Sequence, residues 1–202
     1  MEDPVKKVLG IGGSPRKGGN SDILMKHYLS GVRKGAVAVE EIQLRDYQFQ
    51  SCIGCERCRK AKQCTGIQDG MQLLYPRVRE ACGVILVCPI YNYNITAMMK
   101  SFIDRLYCFY DYGKERPGEW SSRLADQGRK AAIVVVGEQL TSEEGGMDLT
   151  LEALRRPFEA LGYEVVSEMP VFGIHHRGRV KEYPETLEKA EQLGEEMAAI
   201  IR

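Results

Sequence analysis

Short, unbroken apolar runs alternate along this chain with longer stretches in which apolar residues recur every three or four positions. The runs "KKVLGIGG" (6–13), "GVILVCPIY" (83–91) and "KAAIVVVG" (130–137) read as buried strands. "AVAVEEIQL" (36–44) alternates apolar and polar positions and predicts another strand, and "YEVVSEMPVFGI" (163–174) predicts a last one. Helical spacing predicts a helix from about Ser21 to Lys34, through Ile23, Leu24, His27, Tyr28 and Val32, and further helices over 71–81, 96–107, 149–162 and 183–202. Pro76 should kink the second of these or sit in its first turn, and Gly162 should close the fourth. Residues 45–70 have neither rhythm.

Strands that are apolar on both faces and alternate with helices imply a parallel sheet covered on both sides. Five of them, joined by right-handed crossovers, predict a doubly wound α/β fold. Ligands of such folds bind beyond the carboxyl ends of the strands. The loops "GGSPRKGGNS" (12–21), "CPIYNYN" (88–94) and "GEQLTSEEGG" (137–146) should therefore share one site. The length of 202 residues fits a single domain over 1–202, with a cysteine-rich loop at about 45–70 inserted before the third strand.

Lys and Arg (28) balance Asp and Glu (28), so bulk charge points to neither nucleic acid nor an anionic membrane. The opening "MEDPVKKVLGIGG" puts two acids in its first three residues and does not resemble a signal peptide. No apolar run is long enough to span a bilayer. A cytoplasmic location is expected, and in a reducing compartment the seven cysteines are not expected to form structural disulfides.

The first loop departs from two common phosphate motifs. The dinucleotide fingerprint, counted from Gly10, would need glycine where Pro15 stands, and the nucleotide P-loop would need Lys and then Ser or Thr where Gly19 and Asn20 follow Gly18. A phosphate cradle is still chemically plain. Glycines turn N–H groups toward an anion, the next helix presents its positive end, Ser14, Asn20 and Ser21 offer side-chain donors, and Arg16 adds charge. The plainer alternative is a capped strand–helix turn with an exposed arginine.

"GSPRKGGNSDIL" followed by "CPIYNYNITAMMKSFIDR" resembles the NADPH-dependent FMN reductase branch of the flavodoxin-like superfamily. The resemblance covers nearly the whole chain. It implies a five-stranded parallel sheet of order 2-1-3-4-5 that binds FMN, with NAD(P)H as electron donor. The family's first-loop pattern falls on Gly13, Ser14, Arg16, Asn20 and Ser21, which by resemblance hold the FMN phosphate together with Gly19. The run after the third strand puts Pro89, Ile90, Tyr91, Asn92, Tyr93 and Asn94 at the ring, with backbone amides along its pyrimidine edge, where two-electron reduction leaves negative charge. Many relatives have small residues where this chain has Tyr93 and Asn94. Gly137 and Glu138, in the third loop, are further candidates beside the ring. Lys100 should solvate a helix face, and an Asp104–Arg105 pair should anchor that helix.

Cys52, Cys55, Cys58 and Cys64 form a C-x2-C-x2-C-x5-C array. Its compactness favours an iron–sulfur cluster over zinc, which generally uses paired elements further apart. The spacing is also similar to that of the iron–sulfur flavoproteins, a subgroup of the same superfamily, which implies one [4Fe–4S] cluster exchanging electrons with FMN, often across a subunit boundary. Similar cysteine-rich stretches, followed by an acidic motif like "QDGM" here, also occur in relatives described simply as flavin reductases, so a set of free or disulfide-bonded thiols is the alternative. Cys82, Cys88 and Cys108 lack such spacing and read as small buried residues. The aromatic stretch 106–120 predicts a lid or subunit contact over the flavin, and the resemblance implies a homodimer or homotetramer. His175 and His176, with Arg177 and Arg179, suit a surface or nicotinamide-phosphate contact.

Taken together, the residues and the resemblance predict an FMN-dependent oxidoreductase that passes electrons from NAD(P)H to a small-molecule or protein acceptor: a flavin, a quinone, a metal ion or the cluster. The chemistry is carried by FMN, and no side chain is needed as a general acid. Two other classes stay open: an iron–sulfur electron-transfer protein fed by ferredoxin, and a non-enzymatic zinc or redox-sensing module.

Overall fold

The computed structural model describes residues 6–115 and 117–201. The opening acids Glu2 and Asp3, Arg116 in the aromatic stretch and Arg202 at the end of the last predicted helix lie outside the described residues. In chain order the elements are β1 (Lys7–Gly12), α1 (Asn20–Lys34), β2 (Ala38–Gln43), the short α2 (Arg57–Ala61), α3 (Met71–Glu80), β3 (Gly83–Pro89), α4 (Ala97–Arg105), β4 (Tyr110–Tyr112), β5 (Trp120–Ser122), β6 (Lys130–Val136), α5 (Met147–Ala160), β7 (Glu164–Val171) and α6 (Pro184–Ile201).

Five strands form one parallel sheet in the order β2-β1-β3-β6-β7. Because β4 and β5 pair only with each other, this is the predicted doubly wound order 2-1-3-4-5. The unbroken apolar runs explain the centre. Gly83–Cys88 and Ala131–Val136 are buried throughout, as strands covered on both faces must be. Alternate residues serve the two faces. Val8, Ile85, Val87, Ala132 and Val134 pack with α1 and α6, whereas Leu9, Val84, Leu86, Ile133 and Val135 pack with α3, α4 and α5. The edge strand β2 is exposed or half-buried over Ala38–Glu41 and buried only at Ile42 and Gln43.

Helices α1 and α6 cross with their backbones in contact. A Cβ on Gly31 would lie 1.9 Å from the Glu191 carbonyl oxygen, and one on Gly194 would lie 2.1 Å from that of Tyr28. Pro76 lies well inside α3 and not in its first turn, and α5 likewise contains Pro157. Gly162 closes α5 as expected, with φ +96° and its N–H donating to the Glu159 carbonyl at 2.9 Å.

The aromatic stretch departs from expectation. It is a short helical turn (Leu106–Phe109) followed by the antiparallel β4–β5 hairpin, and it lies against the cysteine loop. Arg59 donates to the Gly113 carbonyl at 3.4 Å, its guanidinium sits 5.5 Å from the Tyr112 ring centre, and Lys62 pairs with Asp111. The aromatics pack on one another, Tyr107 stacking on Tyr112 at 5.3 Å and Trp120 meeting Tyr110 edge-on at 5.5 Å. Among the described residues the hairpin therefore packs on the cysteine loop and not over the loops at the strand ends. Among the described residues no helix is long and apolar enough to cross a membrane.

Candidate functional site

The loops after β1, β3 and β6 converge, joined by the loop after β7, around a cleft of about 690 Å³, a size typical of small-molecule sites. Ser14, Arg16, Gly19, Asn20 and Ser21 line one end, Pro89, Ile90, Tyr91, Asn92 and Tyr93 one wall, and Gly137 and Glu138 the floor and rim. Of the residues expected there, Gly13 is absent from the lining, and so is Asn94. Its side chain turns back to accept from the Ile95 N–H at 2.8 Å. Gln139, Glu144, Ile174, His175 and Arg177 also line the cleft. No motif marks Gln139 or Glu144, whereas His175 and Arg177 stand in the stretch after the last strand that reads as a surface or nicotinamide-phosphate contact.

The first loop is shaped by a buried ion pair that sequence reasoning missed. Asp22, in the first turn of α1, accepts from Arg45 at 2.8 and 2.9 Å and from the Gly18 N–H at 2.7 Å. Arg45 also donates to the Ser14 carbonyl at 3.0 Å, so one guanidinium holds both ends of the loop. Ser14 Oγ accepts from the Arg16 N–H, which leaves its own proton to donate. The Asn20 side chain faces elsewhere, donating to the His176 carbonyl at 3.0 Å and accepting from the Val180 N–H at 3.1 Å. It ties the loop after β7 to α1 and keeps one amide N–H for the cleft that it lines. The N-cap of α1 is Gly19, which brings no side-chain oxygen to the first-turn N–H groups.

In the second loop Tyr91 and Asn94 form an antiparallel bridge, with Asn92 (φ +48°) and Tyr93 (φ +66°) at its tip. Left-handed backbone is costly for a tyrosine, and such strain concentrates where a ligand is held. The N–H groups of Ile90, Tyr91 and Asn94 are engaged by the carbonyls of Val136, Asn94 and Tyr91. Of the amides expected along a ring edge, this leaves those of Asn92 and Tyr93. On the floor, a Cβ added to Gly137 would meet Gln139 Oε1 at 2.2 Å and Ile90 Cδ1 at 2.7 Å, so any larger residue would have to displace the ends of those two side chains. The same Gln139 Oε1 is buried without a hydrogen-bond partner, an unmet acceptor beside the cleft. His175 Nδ1 lies 3.2 Å from Glu138 Oε2 at the rim, and the two histidine rings meet at 5.4 Å where an extended chain would have separated them. Cys88 stays beneath the site, its thiol pushed up by burial to about 11.

A second cavity, of about 450 Å³, lies at the carboxyl end of α4. Cys52, Cys55, Cys58 and Cys64 all line it, and so does Cys108, which its sequence surroundings did not single out. Among the described residues no three Cys, His, Asp or Glu side chains converge on one point as a single metal ion requires. Zinc would hold its thiolates about 3.8 Å apart, as Zn–S bonds of about 2.3 Å imply, whereas a multi-iron cluster spreads them around a larger body. A wide, thiol-lined cavity suits the latter. Cys55 Sγ lies 2.4 Å from where a Cβ on Gly66 would be, so a side chain at 66 would push that sulfur from its present position.

The thiols are electrostatically uneven. Burial, with neighbouring thiols adding to it, raises Cys58. Burial works against ionisation of Cys64 too, yet contacts with Tyr75 and Ile67 and the Arg105 charge outweigh it and bring that thiol below its ordinary value. Burial pushes Cys108 up to about 12. Arg105 pairs with Asp69 across the cysteine segment, at 2.7 and 3.0 Å, and the expected Asp104–Arg105 pair does not form; Asp104 takes Lys100 instead.

Comparison with known proteins fits this arrangement. The model of the NADPH-dependent FMN reductase family matches residues 6–176. The chain belongs to that family. FMN reductases are NAD(P)H-dependent flavin oxidoreductases, and FMN is their cofactor. An iron–sulfur flavoprotein of Archaeoglobus fulgidus is 31% identical over 95% of this chain and 79% of its own length. An iron–sulfur flavoprotein of Methanocaldococcus jannaschii is 28% identical over 97% of each chain. Among solved structures, an NAD(P)H:quinone oxidoreductase from Methanothermobacter marburgensis superposes with a TM-score of 0.72 at 17% identity, over 95% of this chain and 98% of that one. An FMN-dependent NADH-azoreductase from Bacillus anthracis, in complex with FMN, gives 0.67 at 19% identity, over 96% and 98%. These two likenesses are of fold.

Proposed function

We propose that the cleft binds FMN with its phosphate at the loop Ser14–Ser21 and its ring between the turn Pro89–Tyr93 and Gly137–Glu138, and that the cysteine cavity holds a [4Fe–4S] cluster which receives electrons from, or gives them to, the flavin. The observation that carries this reading is the convergence in one cleft of a glycine-rich, serine- and arginine-bearing helix start with a turn whose tip amides, Asn92 and Tyr93, have no backbone partner among the described residues. When bound, FMN takes a hydride from the reduced nicotinamide and passes its electrons to an acceptor.

The protein's part is to bind, orient and tune. Ser14, Ser21 and the first-turn N–H groups of α1 receive the phosphate, with Arg16 as its charged partner. The tip amides stabilise negative charge on the pyrimidine edge, lifting the flavin potential without moving a proton. Tyr93, 60% exposed in a strained conformation on the cleft wall, offers its face to the ring. His175 and Arg177, at the rim, receive the anionic nicotinamide cofactor. Four thiols around one cavity, together with the names of the relatives, support the cluster.

The two parts are tested on one preparation, purified and reconstituted without oxygen. The expected result is a flavin spectrum with a broad iron–sulfur shoulder, near-stoichiometric iron and sulfide, and bleaching of the flavin on mixing with NADPH. Flavin without iron would reject the cluster and leave the cleft. Zinc in place of iron would favour the module reading of the cysteine loop. An adenine nucleotide and no flavin would reject the whole assignment.

A further inference from the structure

The cavity that lines up the four motif cysteines is closed at its back by a charge. Arg105 ends α4, and its side chain is 1% exposed. A guanidinium so far from water is tolerated only when its donors are satisfied and its charge is balanced. All five N–H groups of Arg105 have acceptors. Nε donates to the Tyr75 hydroxyl at 3.2 Å, Nη1 to the Gln50 carbonyl at 2.8 Å and to Asp69 Oδ2 at 2.7 Å, and Nη2 to Asp69 Oδ1 at 3.0 Å. The fifth goes to Cys64 Sγ at 3.6 Å. A neutral thiol is a poor acceptor and a thiolate a good one. Gln50 and Asp69 flank the cysteine segment on either side, so the same side chain fixes both ends of the loop and one of its sulfurs. Among the described residues no other charged donor reaches any of the four thiols.

We infer that Arg105 is a positioning residue for the cluster, holding Cys64 as one distinct corner and making the cluster easier to reduce. The inference rests on the cluster reading above. Reduction adds negative charge to the cluster, and a hydrogen bond from a buried cation to a ligand sulfur stabilises the reduced form more than the oxidised one. Asp69 moderates the effect, since it takes both terminal nitrogens and offsets the charge that Cys64 feels.

The test is an anaerobic redox titration of the reconstituted full chain, following the cluster by its visible and paramagnetic signals. Arg105→Gln should lower the reduced-to-oxidised ratio at a fixed poise about tenfold, which is 59 mV for one electron, with FMN content unchanged. Arg105→Lys keeps a cation but loses the fork and should fall between. Asp69→Asn should move the ratio the other way, because it unmasks the guanidinium. A residue that only braces the loop would not give shifts of opposite sign. If Arg105→Gln does not fold, the Lys and Asn variants decide between the same outcomes. A cluster-loaded wild type whose ratio is matched by Arg105→Lys and Asp69→Asn, or shifted in one direction by both, would overturn the inference and leave the cluster reading standing. A wild type that takes up no iron and sulfide would overturn both.

Discussion

The cleft at the end of the sheet takes most of its shape from backbone already fixed by parallel pairing, with one ion pair, Asp22–Arg45, bracing its first loop, whereas the cysteine cavity takes its shape from a handful of side chains. The cleft loops leave buried strands and lead into helices, and their tightest features are main-chain ones: the Tyr91–Asn94 bridge, the glycine floor, the start of α1. The cysteine loop has one five-residue helix, flanked by Glu56 and Lys62 in left-handed conformations. It is tied down by Arg105, by Gln72 donating to the carbonyls of Cys64 and Ile67, and by Arg123 donating to that of Lys62. A main-chain site is organised before its ligand arrives. A site of side chains and thiols draws part of its order from the group it binds, so metal uptake and local folding are coupled there.

The sharpest break between the two regions should come from the thiols. Cys55→Ser is expected to abolish iron uptake while FMN content and bleaching by NADPH persist; loss of FMN as well, measured on the same sample, would mean that the regions are not independent. Next in size is Arg45→Ala, which strands the buried Asp22 carboxylate. Breaking such a pair costs about 3 kcal/mol, which calorimetry should register as a fall in the unfolding midpoint of roughly 6 °C or more, with weaker FMN retention but normal iron. Arg16→Ala, at an exposed position, should leave stability alone and weaken FMN binding by about 1.5–3 kcal/mol, read by equilibrium dialysis; unchanged affinity would take the arginine away from the phosphate. The smallest effect is expected at the turn. Tyr93→Gly relieves a left-handed tyrosine and should raise the stability of the flavin-free protein by about 1 kcal/mol, or 2–4 °C. No rise would mean that the tip is unstrained.

The same contrast decides what was legible in the sequence. The sheet was readable because Gly83–Cys88 and Ala131–Val136 have no polar position at all, and a strand buried on both faces leaves that mark. The cleft was readable where a motif is local: Ser14 to Ser21, and Pro89 to Tyr93. What escaped was pairing between segments. Asp22 and Arg45 are each unremarkable in their own stretch, and Arg105 was assigned to its neighbour Asp104 because nothing local announces a partner at position 69. Cys108 escaped for the same reason, since a cysteine without spacing joins a cavity only through the fold. The hairpin was missed because three-residue strands are too short to show alternation.

One feature links the two regions physically. The Thr96 hydroxyl begins α4 by accepting from the Met99 N–H and donating to the Gly13 carbonyl, in the loop assigned to the phosphate, and nine residues later Arg105 ends the helix among the cysteines. At a rise of about 1.5 Å per residue the helix is a strut of about 13 Å, seated at each end by a buried polar side chain. On the proposed assignment its length would set the separation between flavin and cluster inside one chain, and a deletion within it would change that separation in steps, each also rotating Arg105 about the axis and away from its sulfur.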